Sequence, residues 1–155
     1  MTHPQPCIFV IGRRGVVLGQ RLAGPLNADL LVSARVARPA GLPAAFDGAE
    51  GMKQALASAF NAGRPLVLVM PVGAAVRLVA PLLRSKHHDP AVVVVDETAQ
   101  FAVPLSGSHE AGANALAQQI AAVLGATAIV TTTAENAGTL ALDVLAQEQG
   151  WRADG

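Results

Sequence analysis

Residues 104–114, PLSGSHEAGAN, set a histidine and two serine hydroxyls among glycines, just ahead of an alanine-rich stretch. Such a turn could hold an anion, carry catalysis or start a helix. Ser108 suits an N-cap, and Glu110 suits the positive end of a helix dipole. Capping does not account for His109, Gly112 or Asn114, because Gly and Asn are poor choices inside a helix. His109 is the best base by residue type, since imidazole titrates near neutrality. The stretch is therefore expected to be a ligand-binding helix start. On that reading Asn114→Ala should keep or raise the melting temperature while weakening ligand binding.

Three further turns carry glycines or hydroxyls. GRRGVVLG, 12–19, follows an apolar run, and its glycines would let backbone N–H groups approach an anion at a helix start. It lacks the G-x-G-x-x-G order, and no acid ends the next apolar run, so a dinucleotide is not expected. In MPVGAAVR, 70–77, Gly73 would let a ligand near the backbone, with Arg77 one helical turn on. TTTAENAG, 131–138, adds hydroxyls, among them Thr132. Ligands of open α/β sheets bind at the carboxyl ends of strands. The turns at 12–15, 71–73, 106–109 and 131–133 are accordingly expected at one sheet edge. No metal site stands out. HHD at 87–89 lacks a second ligand cluster, HEAGAN is not H-E-x-x-H, and no G-x-S-x-G elbow occurs.

The elements that must position these residues are short. Strands are expected at 7–11, 29–33, 66–70, 91–95, 100–104 and 127–131. LVLVM and AVVVV are continuously apolar, as in strands covered on both faces. Helices are expected at 13–24, 50–62, 73–85, 110–124 and 138–149, with Pro81 kinking the third or opening a second short one. Residues 34–49 show no clear period and read as a loop. The alternation predicts a three-layer α/β/α domain over residues 1–155, with a mostly parallel sheet and a local hairpin within 91–104 around DETAQ.

Composition narrows the function. Aromatic residues make up 3% and no nucleic-acid motif occurs, so nucleic acid is not expected. No apolar run reaches the roughly 20 residues of a membrane span, and the start lacks the order of a signal peptide. The lone Cys7, in the first strand, reads as a core residue and fits a cytoplasmic setting. Net charge is zero, yet residues 1–86 hold ten of the eleven Lys and Arg against three acids, and residues 87–155 hold Arg152 against eight. Either the basic half favours an anionic ligand, or both halves interleave in one sheet and the charges average out.

From residue 66 onward the chain resembles the amino-terminal region of the CbiG family, the cobalt-precorrin-5A hydrolases. The resemblance rests on GAAVRLVAPLL, KHHDPAVVVVDE, HEAGANALA and LGATAIVTT in this order and spacing. The family usually reads L-S-G-H-x-G-G-A-N. Here, aligned on His109, Ser108 and Ala111 replace glycines, which implies a stiffer or shifted turn. ALDVLAQEQGW, 141–151, is similar to the family's passage into its next region, and the family's middle and carboxyl-terminal regions are missing.

The resemblance implies opening of the ring A δ-lactone of cobalt-precorrin-5A and release of acetaldehyde, giving cobalt-precorrin-5B. It implies an anionic cobalt-corrinoid ligand, with cobalt arriving only inside the substrate and no cofactor or metal ligands of the protein's own. Backbone N–H groups at 107–110 would then form an oxyanion hole, with Ser106, Gly107, Ser108, Gly112, Asn114 and Thr132 around the substrate. His109 is the expected base, with Asp96 and Glu97 as alternatives. Lys86 and Arg77 would grip carboxylates. The alternative is a non-catalytic corrinoid-binding module that acts with a partner chain carrying the missing regions.

Overall fold

Four strands of four residues form the parallel part of one sheet: Cys7–Val10 (β1), Asp29–Val32 (β2), Leu66–Val69 (β3) and Val92–Val95 (β4). β1 lies between β2 and β3, and β4 follows β3, all parallel and in continuous register. Phe101–Ser106 (β5) then pairs antiparallel with β4, and Thr127–Ala128 (β6) pairs parallel with β5. The order is β2-β1-β3-β4-β5-β6. The computed structural model describes residues 4–107 and 111–132. Among them the helices are Arg13–Ala23 (α1), Ala34–Ala37 (α2), Gly48–Asn61 (α3), Val72–Val79 (α4) and Ala113–Leu124 (α5).

Side-chain alternation along each strand divides the core in two. Ile8, Val10, Val67, Val69, Val93 and Val95 face Val16 and Leu22 of α1 and Leu116 and Ile120 of α5. Cys7, Phe9, Leu66, Leu68, Val92 and Val94 face Met52 and Leu56 of α3 and Ala75 and Val79 of α4. All four residues of β1, β3 and β4 are buried, which explains why LVLVM and AVVVV carry no polar alternation. The three-layer α/β/α expectation holds. So does the local hairpin, which links β4 to β5.

The hairpin is built on Asp96. Its carboxylate accepts hydrogen bonds from the backbone N–H groups of Thr98 (3.1 Å), Gln100 (2.9 Å) and Phe101 (2.7 Å), and from the Thr98 hydroxyl. Asp96 O also accepts from Ala99 N, a residue at φ +57°. On β5 a register shift between Val92 and Val93 sets Val92 opposite Ser106 and Val93 opposite Pro104. A bulge at this place accommodates a proline that has no ladder N–H.

This hairpin overturns the expectation that all four turns share an edge. β5 and β6 run against β1–β4. The turns after β1 and β3 therefore lie at the carboxyl edge of the parallel strands. The turn after β5 lies at their amino edge, and Thr132 is bonded into it. The topology also rejects interleaving of the charged halves. The first half of the chain supplies β2, β1 and β3, and the second supplies β4, β5 and β6, side by side. The described residues carry ten cations and six carboxylates.

Several boundaries differ from the sequence reading. The helix expected at 110–124 starts at Ala113, with Gly112 as its N-cap at φ +79°. The helix expected at 73–85 ends at Val79 and continues as a 3₁₀ turn over Ala80–Leu82 that contains Pro81. The segment 34–49 includes the single turn of α2, and Phe46 within it is buried and bridges Ser33. The helix expected at 138–149 lies outside the described residues.

Candidate functional site

At the carboxyl edge a cavity of about 410 Å³ opens beside Ile11, Ser33, Arg35, Phe46 and Asp47, but the start of α1 is covered by the chain's own groups. Gly12, the N-cap of α1, lies under the Glu97 side chain: a Cβ at Gly12 would overlap Glu97 Oε1. A carboxylate thus already sits at the helix start where an external anion was expected. The other glycines of GRRGVVLG serve packing. A Cβ at Gly15 would meet Val10 and Val69 at 3.0 and 3.1 Å, and one at Gly19 would meet Leu30 at 2.5 Å. Both let α1 lie close on the sheet. Asp96 uses its carboxylate on the hairpin. Partial burial raises its affinity for a proton, but the hydrogen bonds from Thr98, Phe101 and Gln100 outweigh that and hold it below the ordinary carboxylate range. That is the behaviour of an anchor and makes a weak base. Gly73 stands in the exposed first turn of α4 with open space around it. Arg77 is further along α4, lining a groove against α3 with Glu50, Lys53 and Pro81.

The amino edge gathers the rest. Asp89, buried, turns its carboxylate back onto the backbone N–H groups of Arg84 (3.0 Å) and Ser85 (3.1 Å). His88 N and Asp89 N both donate to Ser85 O. The loop 84–89 is thereby fixed, and it carries Arg84, Lys86, His87 and His88 on its exposed side. Pro90 and Ala91 follow, and Gly107 packs directly on them. Gly107 has φ +71°, and a Cβ there would lie 2.8 Å from Ala111 Cβ and 3.0 Å from both Ala91 Cα and Pro90 O. Only glycine satisfies both the backbone angle and the space. The close approach brings the K-x-x-D-P-A loop against the L-S-G turn.

Between them opens a cavity of about 300 Å³. Its walls are small or rigid: Pro4, Gly63, Pro65 and Ala91 on one side, Ala111 and Gly112 on the other, with His87 and His88 at the rim. Next to Gly107, the Ser106 hydroxyl is buried and has no hydrogen-bond partner among the described residues. Behind the cavity, Arg64 ties the strand starts together by pairing with Asp29 and donating to Gln5 O at 2.7 Å.

Asn114 corrects the sequence argument. It is buried in the first turn of α5, and its Nδ2 donates to Thr132 Oγ1 at 2.9 Å. It ties the helix to the chain leaving β6, so its removal should destabilise the fold. Gly112 precedes the helix and is set by its left-handed backbone, so it imposes no helix-interior cost. Ser108, four residues before Gly112, is not at the N-cap position of α5. Ser108, His109 and Glu110 themselves lie outside the described residues. Of the expected site residues, Lys86, Ser106, Gly107, Gly112, Asn114 and Thr132 share the amino edge. Asp96, Glu97 and Gly73 are at the opposite one. From Pro90 to Asp96 the strand advances about 20 Å, at roughly 3.3 Å per residue, too far for both edges to serve one reacting bond. His87, His88 and the buried Asp89 were weighed in the sequence only as metal ligands. The signal that could have placed them was their position inside K-x-x-D-P-A.

Burial pushes the Cys7 thiol up, with Asp29 adding to the effect and Arg64 opposing it. Cys7 is a core side chain, as expected. Among the described residues no helix is long and apolar enough to cross a membrane, and no group of three or more His, Cys, Asp or Glu could hold a metal ion.

Comparison with known sequences decides the lineage. The family described as "Cobalamin synthesis G N-terminal" matches residues 54–135, more than half of the chain and both motifs of the amino edge. The chain belongs to this family. It is 37% identical over 139 residues to the cobalt-precorrin-5A hydrolase of Salmonella typhimurium, covering 90% of this chain and 38% of that one. It is 34% identical over 100 residues to the enzyme of the same name from Priestia megaterium, covering 64% of this chain and 27% of that one. The chain thus spans well under half the length of these relatives. The crystal structure of a cobalamin biosynthesis protein G homolog from Sulfolobus solfataricus superposes with a TM-score of 0.61 at 22% identity, over 82% of this chain and 36% of that one. That likeness confirms the α/β fold.

Proposed function

We propose that this chain is the substrate-holding amino-terminal part of a cytoplasmic cobalt-precorrin-5A hydrolase of cobalamin biosynthesis, and that its amino edge receives the corrinoid. The observation that carries the reading is the meeting of the K-x-x-D-P-A loop with the L-S-G turn around one cavity. The two relatives bearing the hydrolase name support the substrate class. A cavity of about 300 Å³ is at the small end for ligand sites, so it would take one rim of the macrocycle rather than the whole. Its proline, glycine and alanine walls suit an apolar ring edge. Lys86, exposed on the same loop as His87 and His88, suits a carboxylate arm, and Arg84, which donates to Asn61 Oδ1 at 3.2 Å, is exposed on that loop too. The cobalt enters only as part of the substrate.

In this reading His109, which the sequence sets between Gly107 and Ala111, is the base for the water that opens the lactone. Backbone N–H groups of the L-S-G turn would stabilise the developing oxyanion. Asp96 and Glu97 keep their structural roles at the far edge. A second reading is favoured by the chain's share of its relatives: a corrinoid-binding module that turns over only with a chain carrying the remaining regions. The test is to incubate the purified chain with cobalt-precorrin-5A, alone and with such a chain, and to measure corrinoid binding by this chain and acetaldehyde release. Release by the chain alone supports an autonomous hydrolase, and release only in the mixture supports the module. No corrinoid binding in either case refutes both.

A further inference from the structure

We infer that His88 supplies its Nε2 as an axial ligand to the cobalt of the bound corrinoid. The inference rests on the corrinoid reading above and goes beyond it by naming an atom-level contact. Three observations carry it. First, His88 stands at the rim of the amino-edge cavity, facing walls at Gly63 and Gly112 where even an added Cβ would find open space. At these two positions no side chain stands in the way of a flat ring edge.

Second, the imidazole is oriented from behind. His88 Nδ1 lies 3.5 Å from the Ser85 hydroxyl, and Ser85 is itself held by the Asp89 carboxylate. Engagement of Nδ1 by a polar neighbour leaves Nε2 for a metal, as in other histidine metal sites. Third, among the described residues that line the cavity the one acid is Asp89, and it is buried with both oxygens accepting backbone N–H bonds, so it does not compete for the metal. A single imidazole is too little to capture a free ion, and no ligand cluster surrounds it among the described residues. It suffices for a metal that arrives with its equatorial ligands already in the macrocycle. The bond formed is Nε2–Co, and an axial water leaves, with no change in oxidation state.

The experiment uses the full chain and a polycarboxylate cobalt(III) corrinoid with exchangeable axial water. Binding is followed by equilibrium dialysis and ligation by the visible spectrum. The inference predicts that binding shifts the corrinoid bands to those of a nitrogen-ligated species. His88→Ala should abolish the shift and weaken binding at least about tenfold, with free imidazole restoring the shifted spectrum. Binding with no band shift, or an undiminished shift in His88→Ala, overturns the ligation and leaves the corrinoid reading standing. A shift lost in His87→Ala but kept in His88→Ala assigns the ligand to the other ring and also overturns it. Failure of the wild-type chain to bind the corrinoid at all overturns the underlying reading, and the ligation with it.

Discussion

Gly107 is the position where the fold and the candidate site depend on the same missing side chain. Alanine there would hold a left-handed backbone, φ +71°, at a cost of about 1–2 kcal/mol. It would also press a Cβ to 2.8 Å from Ala111 Cβ and 3.0 Å from Ala91 Cα and Pro90 O. Two of these contacts are backbone atoms at the start of β4 and cannot rotate away. Overpacking of this kind costs about 1–3 kcal/mol. Gly107→Ala should therefore lose about 2–5 kcal/mol in all. Gly112 has a similar angle, φ +79°, but nothing within 4 Å of its Cβ position. Gly112→Ala should lose only the backbone part, about 1–2 kcal/mol. Urea unfolding of both variants, with unchanged slope as the check on two-state behaviour, isolates the packing contribution. Equal losses for the two, within about 0.5 kcal/mol, would refute the claim that the L-S-G turn is pressed against Pro90 and Ala91.

Other expectations follow from single contacts. Asn114→Ala should destabilise by about 1–3 kcal/mol because it removes a buried hydrogen bond to Thr132, and a double-mutant cycle with Thr132→Ala should show coupling. Gly24→Ala, with open space and a right-handed backbone, should be neutral or slightly stabilising by thermal unfolding, and Gly19→Ala should be less favourable than Gly24→Ala because its Cβ presses on Leu30 Cδ1 and Val10 Cγ2. The Asp96 carboxyl is held below its ordinary value near 3.8, so its contribution is complete above that pH and lost as the pH falls through the lower folded value. The stability gap between wild type and Asp96→Asn, measured by urea unfolding, should be constant near neutrality and shrink below about pH 4.

The sequence made the layers legible because they depend on local pattern. LVLVM and AVVVV announce strands buried on both faces, and Gly125, a residue at home in a left-handed C-cap, stops α5. Even the hairpin could be read, from a polar break of five residues too short for a crossover. Its consequence is long-range: reversal of β5 moves the L-S-G turn to the edge opposite GRRG. A list of turns, each at the carboxyl end of its own strand, does not contain that information. Gly112 and Asn114 show the same limit. Both looked costly in a helix, but one precedes the helix and the other bonds a residue eighteen positions away. Asp96 looked like a base until its oxygens were found committed to the hairpin. His87 and His88 were visible as residues. Their value depends on the cavity between two segments that meet only in the fold.

The central claim is that the corrinoid binds at the amino edge of the parallel strands. Its most direct test is amide chemical-shift mapping of the labelled chain titrated with a polycarboxylate cobalt(III) corrinoid. The account predicts perturbation of the amides of Gly63, His87, His88, Asp89, Ala91, Gly107 and Ala111–Asn114, with Gly12–Gly15, Val72–Gly73 and Glu97–Gln100 unmoved. Perturbation concentrated at Gly12, Gly73 and Glu97, with the 84–91 loop silent, would contradict it.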